Sequence, residues 1–178
     1  MSEKITYQGR IVQVVEFASP DGERVFEKAR RAPGTRLIIP VGADEILLTK
    51  EYRHEVDGYD YRLPGGKVFD TLDEYNVFLQ SDEDIIEPAT KKAREEAQEE
   101  AGIMVRDLSH IHTSRLGATM EWDLYYFVVT EFSENEQSLE HGEDIEVVKV
   151  SRSKAKQMCL DGRISEERSA LTLLRYLS

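Results

Sequence analysis

The sequence predicts an α/β fold: one main domain with an N-terminal β-hairpin attached to it. Runs rich in β-branched and aromatic residues recur along most of the chain, among them TRLIIPVG, EILLTKEYR, MEWDLYYFVVTEF and IEVVKVS. One long segment between them, EPATKKAREEAQEEAGI from Glu87 to Ile103, has helical periodicity, and the tail reads as two further helices. At 178 residues, 40% hydrophobic and 33% charged, the chain is a soluble globular domain long enough to bury a sizeable core.

Ile5 to Ala18 mixes β-branched and polar residues as a strand does, Asp21-Gly22 signals a turn, and Glu23 to Arg31 supplies the returning strand. This hairpin is rich in charge and thin in core residues, so it must pack on the main domain or on a second subunit. Residues 1–34 are therefore set apart from 35–178, the boundary lying at Pro33-Gly34. The strands TRLIIPVG and EILLTKEYR follow, joined by a turn at Gly42 to Asp44, and Arg53 ends the second. Tyr59, Tyr61 and Arg62 lead into LPGGK, where the adjacent Gly65 and Gly66 let the backbone turn sharply and approach a ligand. Thr71 to Gln80 reads as a short helix in an acidic, aromatic segment.

The helix of Glu87 to Ile103 starts beside Pro88 and stops at Gly102, where proline and glycine belong. Ala89, Ala93, Ala97 and Ala101 form a stripe, and at about 100° per residue Glu96 and Glu100 flank it with Glu99 adjoining, while Arg94 and Gln98 point away. Carboxylates on the packed side oppose helix physics. A like-charged i,i+4 pair costs roughly 0.2–0.5 kcal/mol, and acids in the last turn oppose the helix dipole by about 0.3–1 kcal/mol each. A divalent cation would relieve these penalties.

Beyond that helix, RDLSHIHTSRLGAT and MEWDLYYFVVTEF read as strands in which His110 and His112 are structural or exposed and Trp122, Tyr125 and Tyr126 are core and cross-strand packing residues. The acidic loop Ser133 to Asp144 precedes the strand IEVVKVS, and helices Arg152 to Leu160 and Glu166 to Leu177 close the chain. Leu171, Leu173, Leu174 and Leu177 give the last helix an apolar side.

A net charge of −12 argues against nucleic acid as the main partner, because phosphate backbones are gripped by basic surface. The lone Cys159 excludes an internal disulfide. No apolar run approaches the length of a membrane span and the N-terminus lacks an apolar leader core, so a cytoplasmic protein without a membrane partner is expected.

These segments together resemble the Nudix hydrolases, whose box reads G-x5-E-x7-R-E-U-x-E-E-x-G-U with U bulky and apolar. Glu96, Ala97, Glu99, Glu100, Gly102 and Ile103 match its second half, and Glu87 satisfies the E-x7 spacing. Two departures stand out. Gly66, the opening glycine, is separated from Glu87 by 20 residues instead of five, and the arginine position holds Glu95. Arg94, Lys91 and Lys92 are the nearby cations that could compensate. The front hairpin, KEYR before LPGGK, the acidic loop before EDIEVVKVS and the last helices make the likeness strongest to the ADP-ribose and nucleoside diphosphate sugar branch.

The resemblance implies an α/β/α sandwich and a homodimer built through the front hairpin. It implies Mg²⁺ or Mn²⁺ held by Glu96, Glu99 and Glu100 with the Gly65 carbonyl, and Glu87 as an outer partner. Glu96 thus serves catalysis through the metal, the proton acceptor being Glu140 or Glu143 of the acidic loop. Arg53, Arg62 and Gly66 would contact substrate, although the branch commonly has an acid where Arg62 stands. The implied reaction cleaves the diphosphate bond of a nucleoside diphosphate sugar such as ADP-ribose. A nucleoside triphosphatase, an alarmone or dinucleotide hydrolase, and a ligand-sensing domain without turnover are the alternatives.

Overall fold

The computed structural model describes residues 3–54, 57–139 and 142–178. Two sheets organise it. The first contains β1 (Glu3–Gln8), β2 (Gln13–Ala18), β3 (Val25–Arg30) and the short β8 (Met120–Glu121), in that order. The second has the order β10 (Ile145–Ser151), β5 (Glu45–Arg53), β4 (Gly34–Val41), β9 (Leu124–Glu134), β7 (Ile103–Ser114), with β6 (Gly58–Arg62) also paired to β5. Four helices complete the chain: α1 (Leu72–Phe78), α2 (Ile86–Ala101), α3 (Arg152–Leu160) and α4 (Glu167–Tyr176).

The period-two alternation of the strands sorts the core into two layers. Leu37, Ile39, Leu47 and Phe127 face α2, whose Ala89, Ala93 and Ala97 are fully buried. Ile38, Ile46, Leu48, Tyr126 and Val128 face the other way, onto Ala155 and Met158 of α3 and Leu173 of α4. The second sheet is thus covered on both faces, giving the α/β/α sandwich. Alanine's small side chain brings α2 close to the sheet, so residues flanking the stripe sit near the strand ends.

The N-terminal part departs from the single hairpin expected. Ile5 to Ala18 is two strands, because Gly9 N–H donates to Val12 O at 2.9 Å and turns the chain between β1 and β2. A third strand and the parallel β3–β8 pairing extend the sheet. Arg30 on Glu121 braces β3 against β8, and reciprocal Gln13–Asn76 amide bonds of 2.9 and 3.0 Å tie the sheet to the rest. Asn76 lies on α1, within the insertion that follows Gly66, so this insertion joins the two sheets. Phe69 packs there against Tyr75 and Phe78.

The strand-like run from Met120 is likewise interrupted, at Trp122 and Asp123, and GYDYR is the strand β6. In α4, Leu173 is buried but Leu171 is exposed, so the apolar side is narrower than the leucine count suggests. Among the described residues no helix is long and apolar enough to cross a membrane.

Candidate active site

A cavity of about 310 Å³ opens where α2, the LPGGK segment and the ends of β3 and β5 meet. Glu96, Glu99, Glu100 and Glu143 line it together with Gly65, Gly66, Arg53 and Arg62, so most of the residues singled out from sequence come together. Glu140 lies outside the described residues. Glu87 stands apart: it is exposed in the first turn of α2. At 1.5 Å per residue it is about 13 Å along the helix from Glu96, so it is no direct neighbour of the other carboxylates.

The helix ends as its sequence requires, with Gly102 in the left-handed region at φ 62° and its N–H turned back onto the carbonyls of Ala97 and Gln98. This places Glu96, Glu99 and Glu100 in the last two turns, against the loop. Gly66 is essential to that contact, since a Cβ there would lie 2.0 Å from Glu96 Oε1. The loop is pinned to β4 by Thr35 N–H on Gly66 O and Leu37 N–H on Pro64 O, both 2.9 Å. Gly65 N–H donates to Glu100 Oε2 at 2.8 Å.

Burial sets the electrostatics. Glu100 is pushed up to about 7, chiefly by desolvation, with the charges of Glu96 and Glu143 adding to it against the Gly65 N–H and Arg36. Glu96, only 8% exposed, is raised for the same first reason, and the Lys92 charge opposes the rise. Glu51 is raised by burial too, with Arg53 and Arg62 opposing and Glu143 adding to the rise.

The cationic wall was only half legible. Arg53 pairs with Glu51 at 2.6 Å, while Arg62 turns to the buried Asp60, which Ser165 also holds. Two further arginines of the cavity, Arg36 and Arg31, were not singled out from the sequence. Arg36 is buried in β4 and donates to Thr35 O at 2.6 Å and Gly65 O at 2.8 Å. Burial lowers its pKa, and Glu100 is the largest charge holding it up. Its signal in the sequence was a lone arginine inside the apolar run TRLIIP. Arg31 stacks on Trp122 at 4.3 Å, and Arg168 stacks on the same ring at 4.3 Å. Trp122 is therefore a cavity wall as well as a packing residue, unlike the buried Tyr125 and Tyr126. The Nε atoms of Arg31 and Arg53 are buried and have no hydrogen-bond partner among the described residues.

Among the described residues, no three histidine, cysteine, aspartate or glutamate side chains already form a group able to hold a metal ion. Lys92 stands among the carboxylates instead, 3.3 Å from Glu96 and 3.7 Å from Glu99. The donor chemistry still fits a hard divalent cation, because oxygen ligands are what such ions take. Burial raises both Glu96 and Glu100, with the Glu99 charge adding to the first and the Glu96 charge to the second, a penalty that a cation relieves. The Gly65 carbonyl has one lone pair engaged by Arg36 and one left over.

No protein-family model matches the chain, and no curated protein matches it. A solved structure described as an ADP compounds hydrolase matches with a TM-score of 0.68 and 18% identity, over 99% of this chain and 91% of that one. The layer order, the N-terminal sheet and the loop-to-helix junction all fall within that match. The chain has the α/β fold of that hydrolase, as its resemblance to the Nudix hydrolases implies, with a mixed N-terminal sheet joined to its sandwich.

Proposed function

We propose that the chain is a divalent-cation-dependent hydrolase acting on the diphosphate bond of a nucleoside diphosphate sugar such as ADP-ribose, releasing a nucleoside monophosphate and a sugar phosphate. The observation that carries this reading is the cavity itself. Three helix carboxylates face Arg31 and Arg53, whose buried Nε atoms have no partner among the described residues. A buried donor without a partner costs about 1–3 kcal/mol, and phosphate oxygens would satisfy both. Resemblance of the fold to an ADP compounds hydrolase adds support at the level of the fold.

Mg²⁺ or Mn²⁺, held by Glu96, Glu99 and Glu100 with the Gly65 carbonyl, would supply charge neutralisation on the diphosphate and an acidified water. The chain's own residues do the rest. Arg31 and Arg53 donate to non-bridging phosphate oxygens, as guanidinium groups do well, with Gly66 allowing close approach of the backbone. Arg62, tied to Asp60 at the inner wall, contributes positive potential. Glu143 is on the cavity wall and Glu140 lies three residues before it; one of them accepts the proton of the attacking water. The water oxygen bonds to phosphorus as the anhydride P–O bond breaks, and the leaving phosphate keeps the electron pair. Positioning and electrostatics account for most of such a rate.

Residues 1–34 serve in this reading as a dimerising appendage to the hydrolase domain of residues 35–178. Ile5, Tyr7, Val25 and Phe26 are exposed on the N-terminal sheet at 47, 60, 67 and 44%, which a second copy would cover. Sedimentation should give twice the 20.4 kDa chain mass; a monomer at micromolar concentration removes the dimer.

Products from ADP-ribose, GDP-mannose, dGTP and a dinucleoside polyphosphate, each with Mg²⁺, Mn²⁺ or EDTA, test the reaction class. Monophosphate from the diphosphate sugars is expected. Preferential release of pyrophosphate from dGTP would replace this reading with a nucleoside triphosphatase, and binding without any product would replace it with a sensor.

A further inference from the structure

We propose that Lys92 is the built-in counter-ion of the α2 carboxylates, standing in for the arginine that position 95 lacks and giving way when a divalent cation binds. The inference rests on the metal-dependent reading above and adds to it a residue that controls access of the cation.

Three cations lie near the place of the missing arginine, and their contacts differ. Arg94 is committed to β7, donating to Val105 O at 2.7 Å and Arg106 O at 3.3 Å. Lys91 is 81% exposed in its side chain and reaches only Glu95, at 3.8 Å. Lys92 alone of the three lines the cavity. Its Nζ lies 3.3 Å from Glu96, 3.7 Å from Glu99 and 3.9 Å from Glu95, with the side chain only 17% exposed. The remaining carboxylate, Glu100, has the charge of Arg36 near it.

The two cations are not equivalent. Arg36 is buried and fixed by two carbonyls, so its charge stays where it is. Lys92 has a flexible four-carbon stem, three contacts longer than 3.2 Å, and open cavity on one side. A divalent ion shared by Glu96 and Glu99 would occupy the region its ammonium now holds, and two cations at that distance repel. Binding the metal therefore includes displacing Lys92, which weakens metal affinity.

Direct Mn²⁺ titration without substrate, read by electron paramagnetic resonance of free Mn²⁺, tests this on wild type, Lys92→Met and Lys92→Arg. Removing a competing charge should tighten Mn²⁺ binding by about fivefold or more in Lys92→Met, while Lys92→Arg stays within about twofold of wild type. Thermal unfolding gives the linked readout: Mn²⁺ should raise the melting temperature of Lys92→Met more than that of wild type. Lys92→Gln repeats both measurements if the methionine variant folds poorly. Unchanged or weaker Mn²⁺ binding in the charge-removed variants overturns the role of Lys92 alone. A wild type that binds no Mn²⁺ overturns the metal-dependent reading and this inference with it.

Discussion

Replacing Glu100 by glutamine should abolish turnover and at the same time make the protein more stable above neutral pH. Its carboxyl is pushed up from 4.5 to about 7, burial being the largest cause. A carboxylate raised in the folded state favours folding only while protonated. Stability therefore falls as pH rises from the unfolded value to the folded one, and levels off above about 7. At 1.36 kcal/mol per pH unit the full penalty is about 3 kcal/mol. Glutamine stays neutral and keeps an oxygen to accept the Gly65 N–H. Urea unfolding in EDTA should show Glu100→Gln about 1–3 kcal/mol more stable than wild type at pH 8, the difference vanishing near pH 4.5. Saturating Mg²⁺ should close the gap at pH 8 by stabilising wild type alone. A variant no more stable than wild type at pH 8 in EDTA, or one that keeps wild-type turnover, refutes the reasoning.

Two other substitutions probe separate parts of the site. Glu140→Gln and Glu143→Gln should differ in kcat by at least about tenfold, the one that removes the proton acceptor losing roughly 10² or more; equal, mild losses measured on ADP-ribose would mean that the base lies elsewhere. Gly66→Ala should lower activity by more than about tenfold and cost roughly 1–3 kcal/mol, because the new Cβ would meet Glu96 Oε1 at 2.0 Å. Wild-type kinetics with an unshifted melting temperature would show that the loop and helix are not in the close contact described.

Much of the fold was legible because local signals agreed with one another. The alanine stripe, Pro88 and Gly102 fixed α2 to within a residue or two, and it alone carries three of the candidate ligands. β5 and β10 follow their apolar and β-branched runs to the residue. The split of Ile5 to Ala18 was hidden because β-branched residues flank Gly9 on both sides, so a turn glycine looked like one inside a strand. The site was less legible where contacts are long-range. Arg31, Arg36 and Trp122 come from β-strand regions remote in sequence from the box, and only tertiary packing brings them to the carboxylates. Glu87 fits the spacing of the box, yet it is exposed in the first turn of α2, more than two turns from Glu96.

The most direct measurement is the appearance of nucleoside monophosphate from ADP-ribose by the purified protein, with Mg²⁺ and with EDTA, beside Glu100→Gln. Hydrolysis of the diphosphate bond predicts equal amounts of AMP and ribose 5-phosphate in Mg²⁺, none in EDTA and none from the variant. ADP-ribose bound in Mg²⁺ but recovered intact, or cleaved equally well in EDTA, would contradict it.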